Sequence, residues 1–397
     1  MTTLLILTVL VLVAIAIWQM TKIFELSQLR ADRSVSEIAN DSDNNYNGYL
    51  LFGFLIFIYG ITIFSFAKYS KVLLPDAASD HGAGYDQLMW ISFAIIFFVQ
   101  TITQALLHYY GYKYRGKEGK KALFFADNDR LEFIWTIIPV IVLAGLIIWG
   151  LYSWTNIMDV NDEDDPLIVE LYAQQFNWTA RYAGNDNVLG DASVRLIDIN
   201  KANVLGLDES DPNAADDVIV RELHLPVGRK VNFMMRSQDV LHSAYMPHFR
   251  AQMNCVPGMI TQFSFTPTVT TEEMRLNPDV VDKVKRTNKI RAERAANGDP
   301  DSDPWEFDYV LLCNKICGKS HYNMQMKIIV ETEEEYNAWM EEQKTFKETV
   351  MVDDATQPAF NTAKGADDEM GMEEEAEKPE DKMEEMIEET EAKPDSL

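Results

Sequence analysis

At 397 residues the chain is long enough for two or three domains, and its 62 acidic against 35 basic residues give a net charge of −27. That excess repels a polyanion and argues against a nucleic-acid partner. Three cysteines cannot build a disulfide framework, although one pair, Cys313–Cys317, stays open as a single disulfide.

Four apolar runs, at 3–19, 49–67, 89–109 and 133–154, are predicted to be membrane-spanning helices, each near the roughly 20 residues a bilayer requires. The first lacks a basic leader and a small-residue cleavage site, so it reads as retained. The loop after the third run carries Lys113, Arg115, Lys117, Lys120, Lys121 and Arg130, which the positive-inside rule places in the cytoplasm. The N-terminus and everything after residue 154 then lie outside. On the third run Gln100, Gln104 and His108 share one helical face. Such polar groups face protein or water, either a neighbouring helix of this chain or a larger membrane subunit.

Beyond residue 154 the period changes to two. "LIVELYAQQFNW", "VIVRELHLPV", "RKVNFMM", "MITQFSFTP", "FDYVLLCNK" and "QMKIIVET" are predicted as strands of a Greek-key β-sandwich or barrel. Helical pattern returns only in "EEEYNAWMEEQK". Two polar stretches, 184–217 and 268–304, read as surface insertions. The expected organisation is two N-terminal spans (1–72), a second helix pair (85–155), a β-domain (156–343) and a tail (344–397). From 353 onward that tail holds 17 acids against 4 bases and no Tyr or Trp, a composition expected to stay disordered.

The chemistry concentrates in "CNKICGKSHYNM", residues 313–324, with the spacing Cys-x3-Cys-x3-His-x2-Met. Thiolate and thioether are soft ligands, and the thioether favours copper over zinc. One Cys with His and Met suits a mononuclear copper site; a second Cys suggests two metals bridged by thiolates. Two metals are under-ligated by this loop alone and need another histidine. His242 in "DVLHS" is the candidate, and His248 is its rival. Cys255 reads as a buried core thiol.

With "LEFIWTIIP", "DVLHS", "PGM" and "CNKICGKSHYNM" in order, residues 89–330 resemble subunit II of the haem–copper oxygen reductases, the subunit that carries the dinuclear copper centre CuA. The resemblance implies a cupredoxin-like domain outside a bacterial inner membrane, with the copper ligands at His242, Cys313, Cys317, His321, Met324 and the backbone carbonyl of Lys315. It implies electron entry from a donor outside and delivery to haems in a separate catalytic subunit, for reduction of oxygen. The alternative it leaves is the small subunit of a copper-containing nitric oxide reductase. It also implies that Glu132 stands at the mouth of a proton channel, beside the simpler reading of a carboxylate at a helix N-terminus. No attached haem is expected, since no C-x-x-C-H occurs.

The chain departs from the family in places. Lys315 stands where Glu is usual, so no magnesium ligand is expected there. Phe176 replaces the Trp through which electrons usually enter, while Trp178 is kept. Arg181 and Asn254 stand where carboxylates are common in the donor-docking patch. Asp239 remains as a docking anchor, with Asp216, Asp217 and Glu222 as a second patch. The two extra spans then point to a donor haem held by a partner complex, such as an alternative complex III, or by a tethered cytochrome.

Overall fold

The structure, a computed structural model, describes residues 2–27, 40–70, 73–121, 123–160, 165–299 and 302–350. Of the expected tail, residues 344–350 are described, and everything from 351 onward lies outside the described residues. Four long helices come first: α1 (Thr2–Ser27), α2 (Asp41–Tyr69), α3 (Gly82–Lys113) and α4 (Asp129–Met158). All four are long and apolar enough to cross a membrane, and each overruns its predicted apolar run with polar turns.

Asparagines start two of these helices. Asn40 accepts from the backbone N–H of Asp43 at 2.9 Å, and Asn128 from that of Leu131 at 3.1 Å, capping donors the first turn would leave bare. At their cytoplasmic ends α2 and α3 are tied together. Arg115 Nε donates to Asn45 at 2.6 Å, and a Cβ on Gly48 would stand 2.6 Å from the Tyr112 ring. His108 is buried, and its Nδ1 lies 2.8 Å from the Gln104 carbonyl. The polar stripe of α3 is thus turned inward within this chain, at least at His108.

The β-domain is a sandwich of two five-stranded sheets. One has the order β3 (Val218–Val220), β2 (Asn177–Tyr182), β1 (Leu167–Gln174), β5 (Val231–Ser237), β8 (Thr261–Phe265). The other runs β4 (Leu223–Pro226), β10 (Gln325–Glu331), β9 (Tyr309–Cys313), β6 (His242–Met246), β7 (Ala251–Cys255). Alternating residues such as Val231, Phe233 and Met235 of β5 are buried while their neighbours are not. That period-two pattern supplies the core between the sheets, with Trp178, Phe249, Phe265, Leu311 and Ile328. Cys255 is a free, fully buried core thiol, pushed up to about 12 by burial.

Three sequence expectations need correction. "LIVELYAQQFNW" is a hairpin of β1 and β2, because residues 175–176 turn the chain. "VIVRELHLPV" breaks at Arg221–Glu222, and its halves join different sheets. Helix is not confined to α7 (Glu333–Glu341): the second insertion folds as α5 (Thr271–Arg275) and α6 (Pro278–Ala296). Thr270 and Glu273 form a reciprocal cap on α5, and Asn277 followed by Pro278 starts α6. Those start signals outweigh a face too charged to show as apolar periodicity. The first insertion holds short 3-10 turns that close a small second core of Leu205, Leu207 and Ala214 on Tyr172 and on Phe346 of α8 (Phe346–Val350).

The domain is held to the spans by several contacts, among them Ser264 Oγ donating to the Ile157 carbonyl of α4 and Ser79 Oγ to the Phe249 carbonyl at 2.8 Å, and a two-oxygen ion pair adds to them. Arg250, just after β6, donates to both oxygens of Asp86 near the start of α3 at 2.7 Å and to the Pro75 carbonyl at 2.6 Å. Its side chain is 3% exposed.

Candidate metal centre

β6 and β9 are antiparallel neighbours with Ala244 opposite Cys313. The pairing brings His242, at the start of β6, beside Cys313, at the end of β9. Their separation of 71 positions in sequence shows why no local pattern could reveal it. The loop after β9 is closed at its base, where the Cys313 N–H donates to the Met324 carbonyl at 3.0 Å and the Asn314 N–H to Ser243 at 2.9 Å.

Within that loop the sulfur atoms of Cys313 and Cys317 lie 3.8 Å apart, and both thiols are free. Nδ1 of His242 is 3.8 Å from the Cys313 sulfur, and Nδ1 of His321 is 3.5 Å from the Cys317 sulfur. The Lys315 carbonyl is 3.2 Å from the Cys313 sulfur, and the Met324 sulfur is 3.8 Å from that of Cys317. Each thiol therefore has one imidazole and one weaker donor beside it. Among the described residues His242, Cys313 and Cys317 form a group compact enough to hold a metal ion. His242 is fully buried, Cys317 and Met324 nearly so, while Ile316 and Tyr322 on the loop's rim are almost fully exposed.

This donor set fits two soft ions sharing two thiolates better than one ion, which would leave donors over. Burial, and then the neighbouring Cys313, push the Cys317 thiol up to about 11. A metal taking these ligands must displace their protons.

His248, the rival ligand, is elsewhere. It is packed edge-on against Phe307 and Tyr309, each 5.2 Å away between ring centres. Burial, with Lys283 and Arg250 adding to it, lowers its pKa to about 4. Trp178 is buried, its ring 6.3 Å from that of His242. The Phe176 ring lies on Gly318 of the loop, where an added Cβ would come within 2.7 Å of it. Asp239 has both carboxylate oxygens bonded within the domain, Oδ1 to His242 Nε2 at 2.8 Å and Oδ2 to the Gln175 N–H at 2.7 Å.

Of the second docking patch, Asp217 is corrected. It is fully buried and paired with Arg181 at 3.0 Å, and Arg181 also holds Glu170 at 2.7 Å. Two buried charges of opposite sign at spaced positions in an acidic chain look like surface charge until the insertion is seen to cover them. Glu132 sits exposed in the first turn of α4, next to the Asn128 cap.

The sequence matches the family described as "Cytochrome C oxidase subunit II, transmembrane domain" over residues 67–155 and "Cytochrome C oxidase subunit II, periplasmic domain" over residues 167–272. A relative from Bradyrhizobium diazoefficiens, "Alternative cytochrome c oxidase subunit 2", is 35% identical over 266 residues, covering 66% of this chain and 82% of its own length. The chain belongs to the cytochrome c oxidase subunit II family. A "Cytochrome c oxidase subunit 2" from Thermostichus vulcanus is 21% identical over 303 residues, 70% of this chain and 81% of that one. A solved periplasmic domain of subunit II of cytochrome oxidase from Bradyrhizobium japonicum is 18% identical, covering 44% of this chain and 91% of that one with a TM-score of 0.26.

Membership makes the chain part of a membrane-bound oxidoreductase, and the family's periplasmic domain is its copper-bearing part. The β-domain is periplasmic, after four spans in the inner membrane. The periplasmic match ends at 272, inside the second insertion, and the loop 313–324 lies beyond it. The ligand assignment consequently rests on the geometry described above.

Proposed function

We propose that this chain is the electron-entry subunit of a respiratory cytochrome c oxidase. It would hold CuA on His242, Cys313, Lys315 (carbonyl), Cys317, His321 and Met324. The observation that carries this is the pair of free thiols 3.8 Å apart, each with its own imidazole. When bound, the dinuclear centre supplies one-electron exchange with little change in bonding. The chain's residues do the rest. The loop fixes the donors before metal arrives, and the core behind Cys317 and Met324 keeps water from the sulfur atoms. With every ligand position filled from the chain, none is left for substrate, so oxygen chemistry belongs to a haem-bearing catalytic subunit.

Electrons are taken to enter near Phe176 and Trp178 from a cytochrome c domain, with Asp239 as an anchor. The altered patch and the extra spans favour a donor held in a partner complex, of which an alternative complex III is one form. Glu132, on the cytoplasmic side, is assigned to proton entry. That role favours oxygen reduction over the nitric oxide reductase reading, which shares the metal site. The deciding experiment is metal analysis with optical and electron paramagnetic resonance spectra of the purified complex. Two coppers per chain with a mixed-valence signal are expected; a Cys313–Cys317 disulfide without copper would overturn the proposal.

A further inference from the structure

The proposed metal donors all come from β6, from the end of β9 and from the loop that follows it, that is, from one sheet and its connection. One residue of the other sheet reaches both. Gln175 lies in the turn between β1 and β2, beyond the last pair Gln174–Asn177. Its backbone N–H donates to Asp239 Oδ2 at 2.7 Å. Asp239 Oδ1 is 2.8 Å from His242 Nε2. Its side-chain amide donates to the carbonyl of Cys317 in a short hydrogen bond. Its neighbour Phe176 closes over Gly318, whose φ of +145° and missing Cβ let the ring and the Gln175 amide approach.

We infer that Gln175 is a positioning residue for the copper cage, bracketing the His242 half and the Cys317 half from outside. This inference rests on the copper reading given above. The logic is that of an outer shell. A carboxylate on Nε2 holds the imidazole proton there and leaves the Nδ1 lone pair bare, on the side of Cys313. Asp239 alone does not fix that ring, because Asp239 sits in the exposed connection between β5 and β6. The Gln175 N–H pins its second oxygen. The same residue's amide fixes the peptide after Cys317, and with it the direction of the Cys317 sulfur. The bracket thus sets the relation between a ligand at position 242 and one at 317, which the backbone pairing of β6 with β9 fixes only at the Cys313 end.

Gln175 is exposed, so its side chain can be changed without opening the core. The test is Gln175→Met, of similar length but with no amide, together with Asp239→Asn and the double variant, each in the assembled oxidase. The measurements, made without electron donor, are the copper spectrum with its hyperfine pattern and the loss of copper to a chelator. Copper retention should weaken about ten- to a hundredfold in Gln175→Met, with an altered hyperfine pattern. The double variant should lose less than the two single losses combined, since both act on one bracket. Unchanged retention and spectrum in Gln175→Met, or strictly additive losses, would overturn the bracket. Absence of any copper signal in the unaltered protein would instead overturn the copper reading beneath it.

Discussion

The sulfur atoms of Cys313 and Cys317 lie 3.8 Å apart, well beyond the roughly 2 Å of a disulfide, with an imidazole nitrogen 3.8 Å from the first and 3.5 Å from the second. Neither thiol is replaceable in that arrangement. Cys313→Ser or Cys317→Ser should abolish the mixed-valence signal while the four spans still assemble with their partners. Persistence of the mixed-valence signal in either variant would refute the ligand assignment.

Glu132→Gln keeps a hydrogen-bonding side chain in the first turn of α4 and removes its charge. Copper content should be unchanged. Steady-state oxygen consumption should fall about tenfold or more if the carboxylate passes protons. An unaltered rate across pH would leave Glu132 with only its favourable place at the helix N-terminus.

Asp86→Ala should loosen the β-domain from the spans. It would leave the Arg250 guanidinium, 3% exposed, without its two-oxygen partner. Stripping one member of such a pair costs about 3 kcal/mol. Faster proteolysis between α4 and β1, and a lower unfolding temperature of the β-domain, would be the readout; no change in either would mean the clamp contributes little.

Stability should also depend on pH through Asp217. Burial pushes its pKa up to about 7, against the opposing pull of Arg181. Between pH of about 4 and 7 the folded domain keeps a proton that the unfolded chain has released. Stability from this site is therefore highest below that window and falls as pH rises through it, by at most about 1.4 kcal/mol per unit. Denaturant titrations at several pH values should show the slope, and Asp217→Asn should remove this site's share of it.

Electron entry from a docked donor should be nearly indifferent to salt between about 0.01 and 0.1 M. A diffusing, charge-steered donor would slow steeply as the Debye length drops from about 30 to about 10 Å. Stopped-flow reduction of the copper centre in native membranes distinguishes the two, and steep salt dependence would sink the held-donor proposal.

The spans and the metal loop were legible because each is local. Length and apolarity suffice for a helix in lipid, and Cys313 to Met324 carry five of the six proposed donors in twelve positions. The need for another histidine made His242 a candidate beside its rival His248, and the family resemblance chose between them, since only the β6–β9 pairing brings His242 to Cys313. Strands β6 and β7 were missed because five residues interrupted by Ser243 or Asn254 give too short an alternation. Helix α6 was hidden by six basic side chains along it. Asp217 was misplaced because burial by an insertion is a tertiary fact that sequence charge does not show. Gln175 carries no chemical signal at all: an exposed glutamine in a turn acquires its meaning only from what the turn touches.

The five residues of β6 begin at His242 in the metal cage, and a short 3-10 turn after them ends at Arg250, bound to Pro75 and Asp86. At about 3.4 Å per residue, that strand is a rigid spacer of some 17 Å, with a ligand at one end and a membrane anchor near the other. The separation between His242 and the Arg250 contact is thereby set by a strand held inside the sheet, not by a pliable tether. Were the proposed copper centre held at His242, a fixed spacer of this kind would make its distance from the spans a property of the fold, insensitive to how the two insertions vary.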